Sequence, residues 1–367
     1  MSRLTSLQIL RALAALAIAL LHFQGDALKI PNAEALGFRL FFDQPLGAGV
    51  DLFFAISGFV MLYASRSLFG TPGAAGEFLG RRIARIVPLY WMLTLLLLAI
   101  YLAAPNLLSS GNITVPEIVK SFLFIPYAAG GTGLMQPVYK LGWTLNYEMT
   151  FYVVFALFLA LPMRKAVAAV AVTLVVAVIA GRVLQPAPGA IAFWTDPIML
   201  EFIFGMLIGL AYLNGRRFPR PLCIIAGLVG VAGVAVSPHW GVPLDGLTRP
   251  LHWGVPTALI LGATVLCEPG AKAAREPGRF ALFLGKLGDA SYAIYLVHPL
   301  AIRAFRLVWE KSGLGAHVSP WLYVAAGMAL LIPLSILIYE RFEKPVTQAA
   351  QSYLAKRKRP QPSITPA

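Results

Sequence analysis

Charge is what this sequence has least of. Only 13% of its 367 residues are Asp, Glu, Lys or Arg, against about a quarter in soluble globular domains, while 58% are hydrophobic. An ordinary water-soluble domain is excluded. Cysteine is scarcer still: Cys223 and Cys267 both lie inside apolar segments, which argues against a disulfide framework, a zinc site or a cysteine nucleophile. There is no internal repeat, no glycine-rich nucleotide loop, no metal-ligand spacing and no second domain, so neither a metal nor a bound cofactor is expected. The first apolar stretch has no small-residue cleavage site behind a short core, and reads as a retained helix in place of a removable signal peptide.

What is abundant is apolar runs. Several reach or approach the ~20 residues that a helix needs to cross a ~30 Å hydrocarbon layer, and they recur almost from end to end. They predict an all-α polytopic membrane protein with about ten transmembrane helices, near residues 7–28, 46–65, 86–104, 143–161, 166–184, 198–213, 221–237, 252–267, 288–308 and 321–340. A formal net charge of +14 would suggest nucleic acid as partner of a soluble protein, but its distribution follows the positive-inside rule. With the N-terminus inside, one side receives Arg3, Arg66, Arg81, Arg82, Arg85, Arg164, Lys165, Arg216, Arg217, Arg220 and the later basic groups, while the other receives only Lys29, Arg39, Lys120, Lys140, Arg249 and Lys311. Both termini are expected in the cytoplasm, membrane lipid is the surrounding partner, and no nucleic acid is expected. Residues 105–142 are too polar for a crossing and read as an outer loop with an interfacial or re-entrant piece. A transmembrane domain is expected over 1–345, followed over 346–367 by a basic, proline-containing disordered cytoplasmic tail.

Ionisable residues inside the apolar runs are the candidates for chemistry, because burying one costs about 2.5–3.5 kcal/mol unless it faces a cavity or a partner. RALAALAIALLH, residues 11–22, carries two. Helical geometry sets Arg11 and His22 about 20° apart around the axis and roughly 16 Å apart along it, on one face. Arg11 falls in the cytoplasmic half and His22 in the outer half. A structural reading has Arg11 snorkelling to the interface and His22 as an interhelical hydrogen-bond partner; a functional one makes both part of a site. In GVDLFFAISGF, residues 49–59, Asp51 is expected to face inward, and Ser57 and Gly58 suit close helix packing. Arg81, Arg82 and Arg85 flank the third predicted helix, with 81 and 85 projecting together at i, i+4 and Arg82 beside them. They are either a topology signal or an anion clamp, since guanidinium forks suit phosphates. WTLNYEMTFY, residues 143–152, puts Glu148 at the level of His22. A meeting would orient the imidazole and stabilise its protonated form; otherwise Glu148 bonds a carbonyl or a tyrosine. In SYAIYLVHPL, residues 291–300, His298 precedes a proline that kinks its helix, and packing is its simplest role.

Taken together, these stretches resemble acyltransferase family 3, the polytopic membrane O-acyltransferases. The resemblance rests on Arg11 and His22, on DLFFAISGF (51–59), RRIARIVPLYW (81–91), WTLNYE (143–148), SYAIYLVHP (291–299) and YERFEKP (339–345), in family order over nearly the whole chain. It implies transfer of an acyl group, usually acetyl from acetyl-CoA as donor substrate, to a hydroxyl of a saccharide or related acceptor, in the bacterial inner membrane. It implies catalytic roles for His22, Glu148 and Arg11, acyl-CoA contacts for Arg81, Arg82 and Arg85, and a pocket drawing on Asp51, Ser57, Trp143, Tyr292 and His298. The fused esterase-like domain of some members is not expected here. Surface exopolysaccharide, lipopolysaccharide, peptidoglycan, oligosaccharide and antibiotic-sugar acceptors all fit. A transporter or flippase for lipid-linked sugars is the competing class; a scaffold gains nothing from buried ions.

Overall fold

The computed structural model of the chain describes residues 5–30, 33, 38–40, 43–104, 112–129, 134–237, 245–268, 278–313 and 318–357. Among these residues the architecture is helical throughout, with one isolated bridge between Phe218 and Cys267. The helices are α1 (Thr5–Ala27), α2 (Asp43–Gly47), α3 (Gly49–Ala64), α4 (Ala74–Ala103), α5 (Val115–Phe122), α6 (Gly142–Leu157), α7 (Met163–Leu184), α8 (Ala190–Trp194), α9 (Leu200–Leu213), α10 (Arg220–Val236), α11 (Val255–Val265), α12 (Arg279–Asp289), α13 (Ser291–Lys311), α14 (Pro320–Ile338) and α15 (Lys344–Arg357).

A helix stands in each of the apolar runs, but fewer than ten are long and apolar enough to cross a membrane alone. Among the described residues six spans meet that standard, or seven if α12 and α13, which meet at a 69° bend, form one. The difference has a physical cause: an apolar run is not always one continuous helix. α6 stops after 16 residues and α10 after 17, and the run at 252–267 is split into a wide turn, Pro250–Gly254, and an 11-residue α11. That turn closes with a hydrogen bond donated by the Val255 N–H to the carbonyl of Pro250, five residues back, which is the π-type widening common near functional sites. A second one, Tyr339–Glu343, joins α14 to α15.

The core is organised around α3, which packs along α9 and against α1. Small residues make this possible. A Cβ on Gly58 would run into the carbonyl oxygen of Phe202, and one on Gly205 into that of Ala55, so the two backbones touch without side chains between them. Gly205 and Gly209 repeat at the four-residue spacing of close helix pairs. On the other side of α3, a Cβ on Gly49 would come within 2.8 Å of the Ala14 carbonyl of α1. Phe54, Phe151 and Phe202 then fill the space between α3, α6 and α9, with the Phe151 and Phe202 rings stacked at 4.3 Å.

The segment between α4 and α6 folds onto its neighbours. Thr114 and Glu117 form a capping box that starts α5. At its end the Ser121 carbonyl accepts from Tyr90 at 3.2 Å, that of Phe122 accepts from Trp91 at 3.0 Å, and Tyr139 donates to the Leu296 carbonyl of α13. Residues 105–111 and 130–133 of the expected outer loop lie outside the described residues. At the C-terminal end, helix α15 runs past residue 345, where the sequence suggested a disordered tail, because it has a surface to cover. It packs on α4, with Leu354 3.0 Å from where a Gly80 Cβ would be. Residues 358–367 lie outside the described residues.

Gly205→Ala forces α3 and α9 apart and is expected to cost about 1–3 kcal/mol through overpacking. Gly262→Ala meets only the tip of Ile208, 3.9 Å away, and should leave the thermal midpoint in detergent unchanged or slightly raised. Equal midpoints for the two variants would refute the backbone contact.

Candidate functional site

Where α1, α3, α4, α6 and α13 converge they leave a cavity of about 120 Å³, lined among others by Arg11, Ser57, Arg82, Arg85, Glu148, Tyr152, Ser291, Tyr292 and Tyr295. That is room for several water-sized groups. Three guanidinium groups and one carboxylate line it, an excess of positive charge inside an otherwise apolar bundle.

Glu148 is the most tightly held of these groups. It accepts from Ser57 Oγ of α3 at 2.9 Å and from the hydroxyl of Tyr152, one turn on in α6. Both hydroxyls converge on a single oxygen, Oε1. The carboxylate is therefore fixed by partners from two helices, and the pairing with Ser57 depends on the close approach of α3 described above. Arg11 enters from α1. Its Nη1 donates to Gln8 Oε1 at 3.0 Å, and Gln8 Nε2 donates in turn to Asp289 Oδ1 at 2.8 Å, tying α1 to the end of α12. Glu343, Asp289 and Glu148 all contribute to the negative field at Arg11, against Arg85. Arg11 thus lines the cavity and braces the helix pair; it does not snorkel away from the bundle.

On α4 the helical phase divides the three arginines differently from the i, i+4 expectation. Arg82 and Arg85 face the cavity, while Arg81 is exposed and pairs with Glu77 one turn before it. The phase is set by Phe78, Ala84, Ile86 and Leu89, which are buried and turn the 82/85 face inward. Arg82 lies over the Phe78 ring at 5.6 Å, and its buried Nε has no hydrogen-bond partner. The buried Ser291 hydroxyl, also in the lining, is unpartnered as well. Two unsatisfied donors face a positive cavity. A buried donor without a partner costs ~1–3 kcal/mol, a cost that an anionic or carbonyl ligand would remove.

Glu148 and His22 do not share a level. Glu148 sits beside Arg11, Arg82 and Arg85, whereas His22 is absent from the cavity lining and meets His298 of α13, with Nδ1 2.6 Å from Nε2 and the rings near-parallel at 4.8 Å. The sequence placed Glu148 by counting from the edge of the apolar run; in the structure α6 begins at Gly142 and ends after 16 residues, so the seventh residue is already mid-helix. Tyr295 links the two places. It lines the cavity, bonds Thr144 at 2.9 Å through its hydroxyl, and presents its ring to His298 at 6.0 Å.

Of the other pocket candidates, Ser57 and Tyr292 line the cavity, and Tyr292 donates to the Ile86 carbonyl at 2.7 Å. Asp51, Trp143 and His298 do not. Asp51 is fully buried and takes a two-pronged bond from Arg249, at 2.9 and 3.0 Å, while the Arg249 guanidinium lies over the rings of Trp143 and Trp253 at 5.7 and 5.2 Å. Asp51 faces inward as expected, with a partner that sequence reasoning had counted among loop residues. Tyr152, Ser291, Tyr295, Glu343 and Gln8 were also missed. Signals existed for two: Tyr152 is four residues after Glu148, and Glu343 sits inside YERFEKP. Among the described residues no group of three or more His, Cys, Asp or Glu side chains is placed to hold a metal ion.

Comparison with known proteins bears on what this site serves. The chain is 36% identical over 307 residues to the exopolysaccharide production protein ExoZ of Rhizobium meliloti (strain 1021), covering 83% of this chain and 90% of the relative. It is 28% identical over 365 residues to the acyltransferase MdmB of Streptomyces mycarofaciens, covering 92% and 88%. No solved structure matches. The profile of the acyltransferase domain of family 3 matches residues 4–340, a stretch that holds every residue lining the cavity and five of the six motifs and reaches the start of the sixth, and the chain accordingly belongs to acyltransferase family 3.

Proposed function

We propose that this protein is a multi-pass O-acyltransferase of a bacterial inner membrane that moves an acetyl group from cytoplasmic acetyl-CoA to a hydroxyl of a saccharide, with the acceptor entering from the periplasmic side. The observation that carries this reading is the cavity: three guanidinium groups, two unpartnered donors and a clamped carboxylate, inside a family of acyl-transferring proteins. A polyanionic donor with a carbonyl to polarise suits that set. The relative from Rhizobium meliloti is named for exopolysaccharide production, which favours a surface-polysaccharide acceptor. The basic loops favour ten crossings with both termini cytoplasmic, the arrangement in which Arg82 and Arg85 meet the CoA phosphates.

The division of labour follows from position. Arg82 and Arg85 bind phosphate groups, Arg11 lines the path of the pantetheine arm, and the thioester passes Tyr295 to reach His22, roughly 16 Å further along α1. There the acceptor oxygen attacks the thioester carbonyl, the C–O bond forms as the C–S bond breaks, and His22 takes the hydroxyl proton and returns it to the departing sulfur. In the two-step variant His22 itself carries the acyl group between donor and acceptor. A trapped acyl-His22 adduct in mass spectrometry selects the second route, and ternary-complex kinetics without an adduct select the first.

Two outcomes test the assignment with purified protein, acetyl-CoA and a glycan acceptor. Arg82→Ala and Arg85→Ala should each raise the KM for acetyl-CoA about 10- to 100-fold, the effect of losing one charge-assisted phosphate contact. Arg81→Ala, which points away, should change it less than about threefold. Equal effects at 81 and 82 would place the phosphates outside the cavity. His22→Ala should lower CoA release about 10³-fold; full activity in this variant would remove His22 from the reaction centre, and no acetyl-CoA consumption by the unaltered protein would favour transport of a lipid-linked sugar.

A further inference from the structure

His298 was read from the sequence as a packing residue. The structure gives it a partner that constrains the chemistry of His22. Two imidazole nitrogens 2.6 Å apart need one proton between them: two lone pairs would repel, and two N–H groups would collide. The other nitrogen of His298 decides which ring supplies the proton. His298 Nδ1 lies 3.3 Å from the carbonyl oxygen of Ile294, one turn back in α13, and a carbonyl can only accept. Nδ1 of His298 therefore carries its hydrogen. A neutral imidazole has a single N–H, so its Nε2 is a bare lone pair. That lone pair accepts from Nδ1–H of His22.

We infer that His298 is a positioning residue that holds the His22 proton on Nδ1 and so leaves the Nε2 lone pair of His22 free to take the acceptor's proton or the acyl group. The inference rests on the reading of His22 as the reacting residue given above. Both routes considered there need a bare nitrogen on His22, and the His298 contact supplies one without a carboxylate. When His22 gains a proton at Nε2, its Nδ1–H becomes a charge-assisted donor to the same lone pair, so the contact strengthens as positive charge develops. Burial assigns the roles in the same direction: His298 is 0% exposed, whereas His22 is open to its surroundings. The reacting face belongs to His22.

The surroundings hold His298 in place. Its ring has Tyr295 edge-on at 6.0 Å, and the carbonyl of Leu296 is taken by the Tyr139 hydroxyl. Pro299 follows directly and has no amide hydrogen, which leaves α13 one backbone bond short at this turn.

The test is the tautomer of His22, read from side-chain nitrogen-15 shifts in histidine-labelled full-length protein in nanodiscs, together with kinetics. In the unaltered protein His22 is expected to be protonated at Nδ1 and bare at Nε2. His298→Leu should shift the proton toward Nε2, the form that free imidazole side chains prefer, and lower kcat about 10²-fold while KM for acetyl-CoA stays within about threefold, since the arginine cavity is untouched. His298→Gln places an amide oxygen where the accepting nitrogen was, and should keep the tautomer and recover most of kcat. A His22 protonated at Nε2 in the unaltered protein overturns the inference, and so do equal kcat losses in the Leu and Gln variants at matched thermal midpoints. If neither variant folds, the shifts of the unaltered protein decide. The reading of His22 as reacting residue fails separately, through an active His22→Ala protein, because the tautomer is measured without turnover.

Discussion

The bare backbone contact between α3 and α9 is the constraint on which the site depends. With Gly58 against Phe202 and Gly205 against Ala55, α3 has no freedom to rotate or slide by even one residue without driving a Cβ into a carbonyl. The same helix carries Asp51 and Ser57 to its other faces. Ser57 meets Glu148 and Asp51 meets Arg249 because α3 is locked at that rotation. In a lipid environment, where apolar side chains gain little from leaving the tails, such close packing is what sets helix positions.

The polar groups carried into the bundle fall into two kinds. Asp51 with Arg249, and Asp26 with Arg306 and Tyr323 at 2.9 and 2.7 Å, are directly paired, each carboxylate with an arginine distant in the chain. Such pairs hold distant parts of the chain together, and removing one member would leave the other buried and uncompensated. The cavity set is open by comparison. Glu148 Oε1 takes two hydroxyl donors, yet Arg82 and Ser291 keep donors in reserve, and the guanidinium groups outnumber the carboxylate. An open, positively charged set lies on one side of Tyr295 and a histidine pair on the other.

Much of this was legible beforehand. The apolar runs located the helices, and the ordered motifs pointed to the family that the profile match bears out. What was misread shares one origin. Spacing sets Arg81 with Arg82 and Arg85, although the buried residues of α4 turn Arg81 outward to Glu77; and counting from the edge of an apolar run sets Glu148 level with His22, although α6 carries it into the arginine-lined cavity. Each difference concerns the rotation or depth of a helix, quantities that hydropathy averages over.

By itself, then, the sequence determined that the chain is helical and apolar, where its helices fall, and which few ionisable residues must be explained. Only the tertiary structure decided which of them meet. Asp51 and Arg249 are 198 positions apart, and His22 and His298 are 276 apart. Contacts at that separation depend on how each helix is turned against its neighbours, and here that turn is fixed by glycines touching backbone, a steric condition between two segments that neither segment encodes alone.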